Sequence, residues 1–215
     1  MFLIKFIYYL SFDLIRIMKI LAFVDVHGNL SALKKLIERG KRKDIDCLVC
    51  AGDITIFGGK LKNIVGKLDK IRKPVLIIPG NHEDDDEIKE ACAKFENCIN
   101  LHKKGFRKEN YLFLGYGGGG FSLVDKEFER IAKRFKKMIK KEDKIILVTH
   151  APPYNTNVDK ISKRSCGNKS IRRFIYEAKP DLVICGHLHE CAGKQDKIGK
   201  TRIINPGYKG KVVEV

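Results

Sequence analysis

The sequence predicts an α/β fold of the α+β-like kind, with two mixed β-sheets packed as a sandwich and flanked by helices. Three observations predict it. The first half alternates short apolar runs with helical apolar periods, the pattern of a parallel sheet covered by helices. The middle adds shorter strand candidates and one long amphipathic stripe. The tail is dominated by strands.

Ile20–Val24 is a continuous apolar run, hence a buried strand. Leu30, Leu33, Leu36 and Ile37 then recur at helical spacing over Leu30–Arg39. Asp46–Ala51 is a second buried strand, Leu61–Leu68 a second helix, Val75–Ile78 a third strand, and Asp85 to Ala93 a third helix. Ile99–Leu101, Gly105–Lys108 and Tyr111–Leu114 are short strand candidates, closed by the glycine run Gly117–Gly120. Phe128, Ile131, Ala132, Phe135, Met138 and Ile139 form one apolar stripe with Lys and Arg opposite, which marks a core-facing helix. Ile145–Val148, a helix near Lys169–Glu177, Leu182–Cys185, Ile203–Ile204 and Val212–Val215 complete the chain.

A length of 215 residues, 44% of them apolar, suits one domain with a real core. The expected domain spans 18–215. Residues 1–17 are an apolar extension, interrupted by Lys5, Asp13 and Arg16. Its longest uncharged run falls far short of the ~18 residues that span a bilayer. Met18-Lys19-Ile20-Leu21 reads as an alternative start running straight into the first strand, so 1–17 is expected to be a mis-assigned start or a peripheral segment.

Seven cysteines, an odd number in a chain too long for a disulfide scaffold, argue for a reducing, cytoplasmic interior. Cys47 and Cys50 lie three apart on a strand, so they face opposite sides and cannot share a metal. The net charge of +17 comes mostly from Lys spread along the chain. It permits a polyanionic partner, but no clustered basic-aromatic motif accompanies it.

Five of the six histidines follow a predicted strand directly or lie in the turn behind one. The strand ends read Asp25-Val26-His27, Gly52-Asp53, Gly80-Asn81-His82-Glu83, Thr149-His150 and Gly186-His187-Leu188-His189. In parallel sheets, ligands bind at the carboxyl ends of the strands. Each piece alone is weak or moderate. Together, in this order and each behind an apolar run, they form a constellation of oxygen and nitrogen donors suited to divalent first-row metals. A carboxylate can bridge two such ions. A glycine before a histidine-bearing turn permits a tight backbone.

This set resembles the calcineurin-like metallophosphoesterase superfamily, whose blocks run Asp-x-His, Gly-Asp, Gly-Asn-His-(Asp/Glu), x-His and Gly-His-x-His. The match runs from about Lys19 to the end. The resemblance implies a metallophosphoesterase fold and a dinuclear centre. Asp25, His27, Asp53 and His189 would hold the first metal, and Asp53, Asn81, His150 and His187 the second, with Asp53 bridging. Manganese is the first expectation, and the donor set also accepts Fe, Zn, Ni or Co. The implied reaction is hydrolysis of a small phosphate ester, a phosphodiester above all, by a hydroxide held between the metals. His82 would act as general acid. The Ser/Thr phosphatases of the superfamily carry Gly-Asp-x-x-Asp-Arg-Gly. Here Gly52-Asp53-Ile54-Thr55-Ile56-Phe57-Gly58 lacks the second Asp and the Arg, which points away from protein substrates and towards the small bacterial and archaeal phosphoesterases.

Weaker expectations concern the surroundings. Tyr154, Asn155 and Arg164, in the loop behind His150, are candidates for substrate contact. Gly117–Gly120 is either a turn or a source of backbone N–H groups for a phosphate. His102 is expected to be a surface or packing histidine. The acidic run Glu83–Glu87 is expected to be a solvated helix start. Two other functions remain: a binding scaffold of the same fold that has lost catalysis, against which all the motif positions are present, and a nuclease, prompted only by the charge.

Overall fold

A computed structural model describes residues 17–215; apart from Ile17, the apolar extension lies outside the described residues. The first sheet has five strands in the order β13-β1-β2-β3-β4. These are β1 (Lys19–Phe23), β2 (Cys47–Cys50), β3 (Val75–Ile77), β4 (Cys98–Asn100) and β13 (Lys211–Glu214). β1 to β4 pair in parallel, and β13 closes the edge antiparallel to β1. The second sheet has six strands in the order β11-β12-β10-β7-β6-β5. They are β5 (Lys104–Lys108), β6 (Tyr111–Tyr116), β7 (Lys144–Thr149), β10 (Leu182–Ile184), β11 (Gln195–Ile198) and β12 (Thr201–Ile204). Its central strands are parallel and both edge pairs are antiparallel. A small hairpin, β8 (Lys160–Ile161) with β9 (Arg164–Ser165), stands apart.

Side-chain alternation sorts the core into three layers. In β1, Ile20 and Ala22 point between the sheets, and Leu21 and Phe23 point outwards to the helices. β2 divides the same way: Cys47 and Val49 join the inter-sheet core, and Leu48 and Cys50 join the helix-facing core. Cys47 and Cys50 therefore face opposite sides as free, buried thiols. Helices α1 (Leu30–Gly40), α2 (Leu61–Asp69) and α3 (Asp85–Cys92) cover the first sheet. Helices α4 (Lys126–Met138) and α5 (Lys169–Ala178) cover the second with Phe128, Phe135 and Phe174. The result is helix, sheet, sheet, helix.

Helix starts are set by short polar caps. Asn29, Asp125 and Asn168 each accept a hydrogen bond from the backbone N–H three residues on. Asp84 and Glu87 form a reciprocal capping box at α3. No helix of the described residues is long and apolar enough to cross a membrane.

Candidate metal centre

The parallel strands of both sheets end at the same edge of the sandwich. β1 delivers Asp25 and His27, β2 Asp53, β3 Asn81 and His82, β7 His150, and β10 His187 and His189. Glycine lets these tips close on one another. A Cβ at Gly80 would sit 1.9 Å from Asp53 Oδ1, and one at Gly186 would sit 2.1 Å from Val24 Cγ2. Neither glycine is there for a left-handed φ; close approach excludes every larger side chain.

The imidazoles and carboxylates converge. His27 Nε2 and His189 Nε2 are 3.0 Å apart. His150 Nε2 is 3.0 Å from Asn81 Oδ1 and 3.5 Å from Asp53 Oδ2, and His27 Nε2 is 3.8 Å from the same Asp53 oxygen. His187 Nδ1 is 2.9 Å from Asn81 Oδ1. Three groups bring their ligand atoms within 4.8 Å of one another: Asp25, His27 and His189; Asp25, Asp53 and His150; and His27, Asp53 and His82. The last group puts the ring of His82 within reach of the same space. Asp25, Asp53 and His150 are buried and form the floor, and Asn81 and His189 lie at the exposed rim.

The donor set fits a cation by more than proximity. Asp25 Oδ2 and His187 Nε2 are buried without a hydrogen-bond partner, an arrangement that costs free energy unless something satisfies it. Two ring nitrogens facing each other at 3.0 Å need a shared proton or a shared cation. His150 Nδ1 donates to the Ala51 carbonyl at 2.9 Å, which turns Nε2 into the site. Asp25, His27, Asp53 and His187 all have positive φ, between 47° and 68°. For non-glycine residues that conformation costs of order 1–3 kcal/mol each and gathers at functional sites.

The electrostatics agree. Burial raises the Asp25 carboxyl, and the neighbouring Asp53 adds to the rise against the opposing pull of His150 and His189. Burial would raise Asp53 too, but the His150 hydrogen bond and charge and the His82 backbone N–H hold it at about 2. Burial would lower His150, and Asp53 and Asp25 outweigh it to raise it. Burial, helped by His150, takes His187 down to about 4.

The family description "calcineurin-like phosphoesterase" matches residues 18–191. The chain belongs to the calcineurin-like phosphoesterase family. This phosphoesterase is 34% identical over 214 residues to the Methanocaldococcus jannaschii protein MJ1162, with 93% of each chain covered. Its fold is similar to that of TT1561 of Thermus thermophilus, with TM-score 0.75, 18% identity, and 93% of this chain and 99% of that one covered. A dimetal phosphatase from Danio rerio is also similar in fold, with TM-score 0.64, 12% identity, and 87% and 86% of the two chains covered.

Several side chains sit other than the sequence suggested. Glu83 is not part of a solvated helix start. It is buried, and its carboxylate accepts from the backbone N–H groups of Asp53, Thr55 and Gly80 and from Thr55 Oγ1 at 2.7–3.0 Å. The solvated start is Asp84 to Glu87. The fourth place in Gly-Asn-His-Glu was the available signal. The glycine run does not offer its first N–H groups to a phosphate: Gly117 donates to His102 Nδ1 at 2.8 Å and Gly118 to the Pro79 carbonyl at 3.1 Å. His102 is a buried packing residue stacked on Tyr116. Tyr154, Asn155 and Arg164 make their contacts within the loop behind His150. Tyr154 lies under Lys169, Asn155 binds Asp159 and Lys160, and Arg164 pairs with Ile161 in the small hairpin.

Two residues at the site went unremarked. Phe57 packs against His82 with ring centroids 4.7 Å apart, and Phe121 against His187 at 4.6 Å. His82 Nδ1 is buried without a partner, in keeping with the missing second Asp of the protein phosphatase motif. A cavity of about 350 Å³ opens beside the cluster, lined by Asp25, His27, Asn29, His189, Ala192 and Tyr208.

Proposed function

We propose that residues 18–215 act as one unit, a dinuclear metal-dependent phosphoesterase that hydrolyses small phosphodiesters. The observation that carries this is the convergence of seven oxygen and nitrogen donors from both sheets, with buried lone pairs left unsatisfied. Asp25, His27, Asp53 and His189 would hold one divalent ion, and Asp53, Asn81, His150 and His187 the other. Manganese is the proposed ion on the carboxylate and amide oxygens, and the imidazoles equally admit Fe, Zn or Ni. Bound there, the ions supply positive charge to the phosphate oxygens and acidify a water to a nucleophile near neutral pH.

The chain's own groups do the rest. His82 is the proposed proton donor to the leaving oxygen; its ring stands edge-on to His27, centroids 5.0 Å apart, beside the ligands rather than behind them. Asn81 contributes a neutral amide, so the wall facing an anionic substrate carries less negative charge than a third carboxylate would give. Asp53 is fixed by the His82 backbone N–H at 3.0 Å. The cavity lined by His27, His189 and Tyr208 offers room for an organic substituent beside the phosphate. The free thiols accord with a cytoplasmic setting.

The test uses purified protein with Mn²⁺ on bis(p-nitrophenyl) phosphate and on a dialkyl phosphate. Turnover should appear with the metal, vanish with chelator, and fall with Asp53→Asn together with bound metal. His82→Asn should slow alkyl leaving groups far more than nitrophenolate, which needs no proton. Protein that binds metal and turns over no ester refutes the reading.

A further inference from the structure

Charge is divided unevenly between the two outer helix layers. Helices α1, α2 and α3, over the first sheet, carry six Lys and Arg against six Asp and Glu. Helices α4 and α5, over the second, carry nine against three. A solvated helix face ordinarily mixes its signs, as the first layer does. Between α4 and α5 runs a cavity of about 430 Å³, lined by Lys126, Arg130, Lys133, Lys136 and Arg173. Its two acids are engaged. Glu177 accepts from Lys136 at 2.7 Å and from Arg173 at 2.9 Å, and Glu129 accepts from the Ser170 hydroxyl at 2.9 Å. Arg130 pairs with Glu127 at 3.6 Å, whereas Lys126 and Lys133 pair with no carboxylate among the described residues. The cations of α4 recur every three or four residues, a step of roughly 5 Å along roughly 15 Å of helix.

We infer that the α4–α5 face docks the phosphate backbone of a nucleic-acid duplex. Charge complementarity names the occupant. A duplex carries one negative charge per about 1.7 Å of its axis, and unpaired ammonium groups meet phosphates as point charges. A single strand would stack its bases on aromatic rings. The groove offers none: Phe174 is buried at its floor, and Tyr176, the exposed ring of α5, is taken up by Arg172, which bonds its hydroxyl and lies over its face. An anionic bilayer is entered by apolar side chains, but Phe128, Ile131 and Phe135 of α4 face the core. An acidic protein would need an apolar centre to the patch, and the middle of this one is Lys133. Contacts to phosphate alone carry no sequence information, so the docking is independent of base sequence. None of these residues belongs to the strand-end cluster, and the inference stands apart from the phosphoesterase reading.

The test titrates the full chain onto a fluorescently labelled DNA duplex of about 20 base pairs and follows anisotropy from about 50 to about 200 mM salt. Five cations less the carboxylates of Glu129 and Glu177 leave about three phosphates to be met, so the dissociation constant should rise about 40-fold over that range. Lys126→Gln/Lys133→Gln removes two of the three, and the rise should shrink to about fourfold. Lys34→Gln/Lys35→Gln removes the same charge from exposed positions on α1 and should keep the wild-type rise. Equal losses in the two variants would assign binding to net charge and overturn the inference. Wild-type binding that is absent, or unmoved by salt, also overturns it. A single strand of equal length bound as tightly as the duplex does the same. Phosphatidylserine vesicles that hold the wild type more tightly than the duplex, and release Lys126→Gln/Lys133→Gln, would assign the face to a membrane and overturn it too.

Discussion

Replacing Glu83 by Gln probes the scaffold behind the site without replacing a proposed ligand. Its two carboxylate oxygens divide four donors: Oε2 takes the N–H groups of Asp53 and Gly80, and Oε1 takes the N–H and hydroxyl of Thr55. Gln keeps one oxygen. In its best orientation the oxygen serves Asp53 and Gly80, the amide donates to a rotated Thr55 hydroxyl, and the Thr55 N–H is stranded. Thr55 is fully buried, so that donor costs about 1–3 kcal/mol. Neutral bonds replacing those to a carboxylate add roughly another 1 kcal/mol. The total, about 2–4 kcal/mol, lowers Tm by roughly 5–15 °C for a chain of this size. Urea unfolding of metal-free protein measures it, and metal content with kcat/KM measures the knock-on at Asp53. A loss below about 0.5 kcal/mol at unchanged m value would refute the clasp, since ordinary surface changes reach that much.

Three further outcomes follow from the same geometry. Gly80→Ala should retain its circular dichroism yet lose metal and about 100-fold in kcat/KM, because the new methyl overlaps Asp53 Oδ1; wild-type metal content and rate would contradict it. Burial lowers His102, with Asp85 and Glu127 offsetting part of the shift and Lys103 adding to it. The unfolded chain then takes up a proton below pH 6.5 that the folded one resists, so stability is present above that pH and declines as pH falls below it. His102→Gln should flatten the urea midpoint between pH 7.5 and 5, and an unchanged slope would count against it. Burial pushes Cys47, Cys92 and Cys98 up to about 12, and Cys50 and Cys185 well above the ordinary thiol range. Thiol titration should find half-buried Cys166 reacting in the native protein and the rest only in denaturant.

What could be read from the chain, and what could not, follows from range. Strands buried on both faces write themselves as unbroken apolar runs, so β1, β2, β3, β7 and β10 were legible within a residue or two. β11, Gln195–Ile198, was not, because an exposed edge strand of Gln, Asp and Lys carries no apolar signature. The two-residue strands of the β8–β9 hairpin are too short for any period. The cluster of proposed ligands was legible because each residue is tied to a strand end by a local motif. Glu83 was not, because three of its four donors, on Asp53 and Thr55, lie 30 and 28 residues away and only the folded loop brings them in. Phe57 and Phe121 hid for the opposite reason: an apolar residue in a glycine-rich loop reads as ordinary turn packing until its exposure is known.

The arrangement also shows what the scaffold must offset before any ion arrives. Two buried carboxylates, Asp25 and Asp53, lie in one cluster with His150, and four proposed ligands hold left-handed backbone. Left alone, these terms favour opening the site. Part of the charge is answered within the protein: His150 pairs with Asp53, which lifts the imidazole and depresses the carboxyl. Glu83, the Ala51 carbonyl and the tight glycine contacts answer the backbone part from one step further out. A divalent ion at the proposed site would have to take these same lone pairs from protons, and the donors it would meet are the ones that Glu83, the Ala51 carbonyl and the close glycine contacts position.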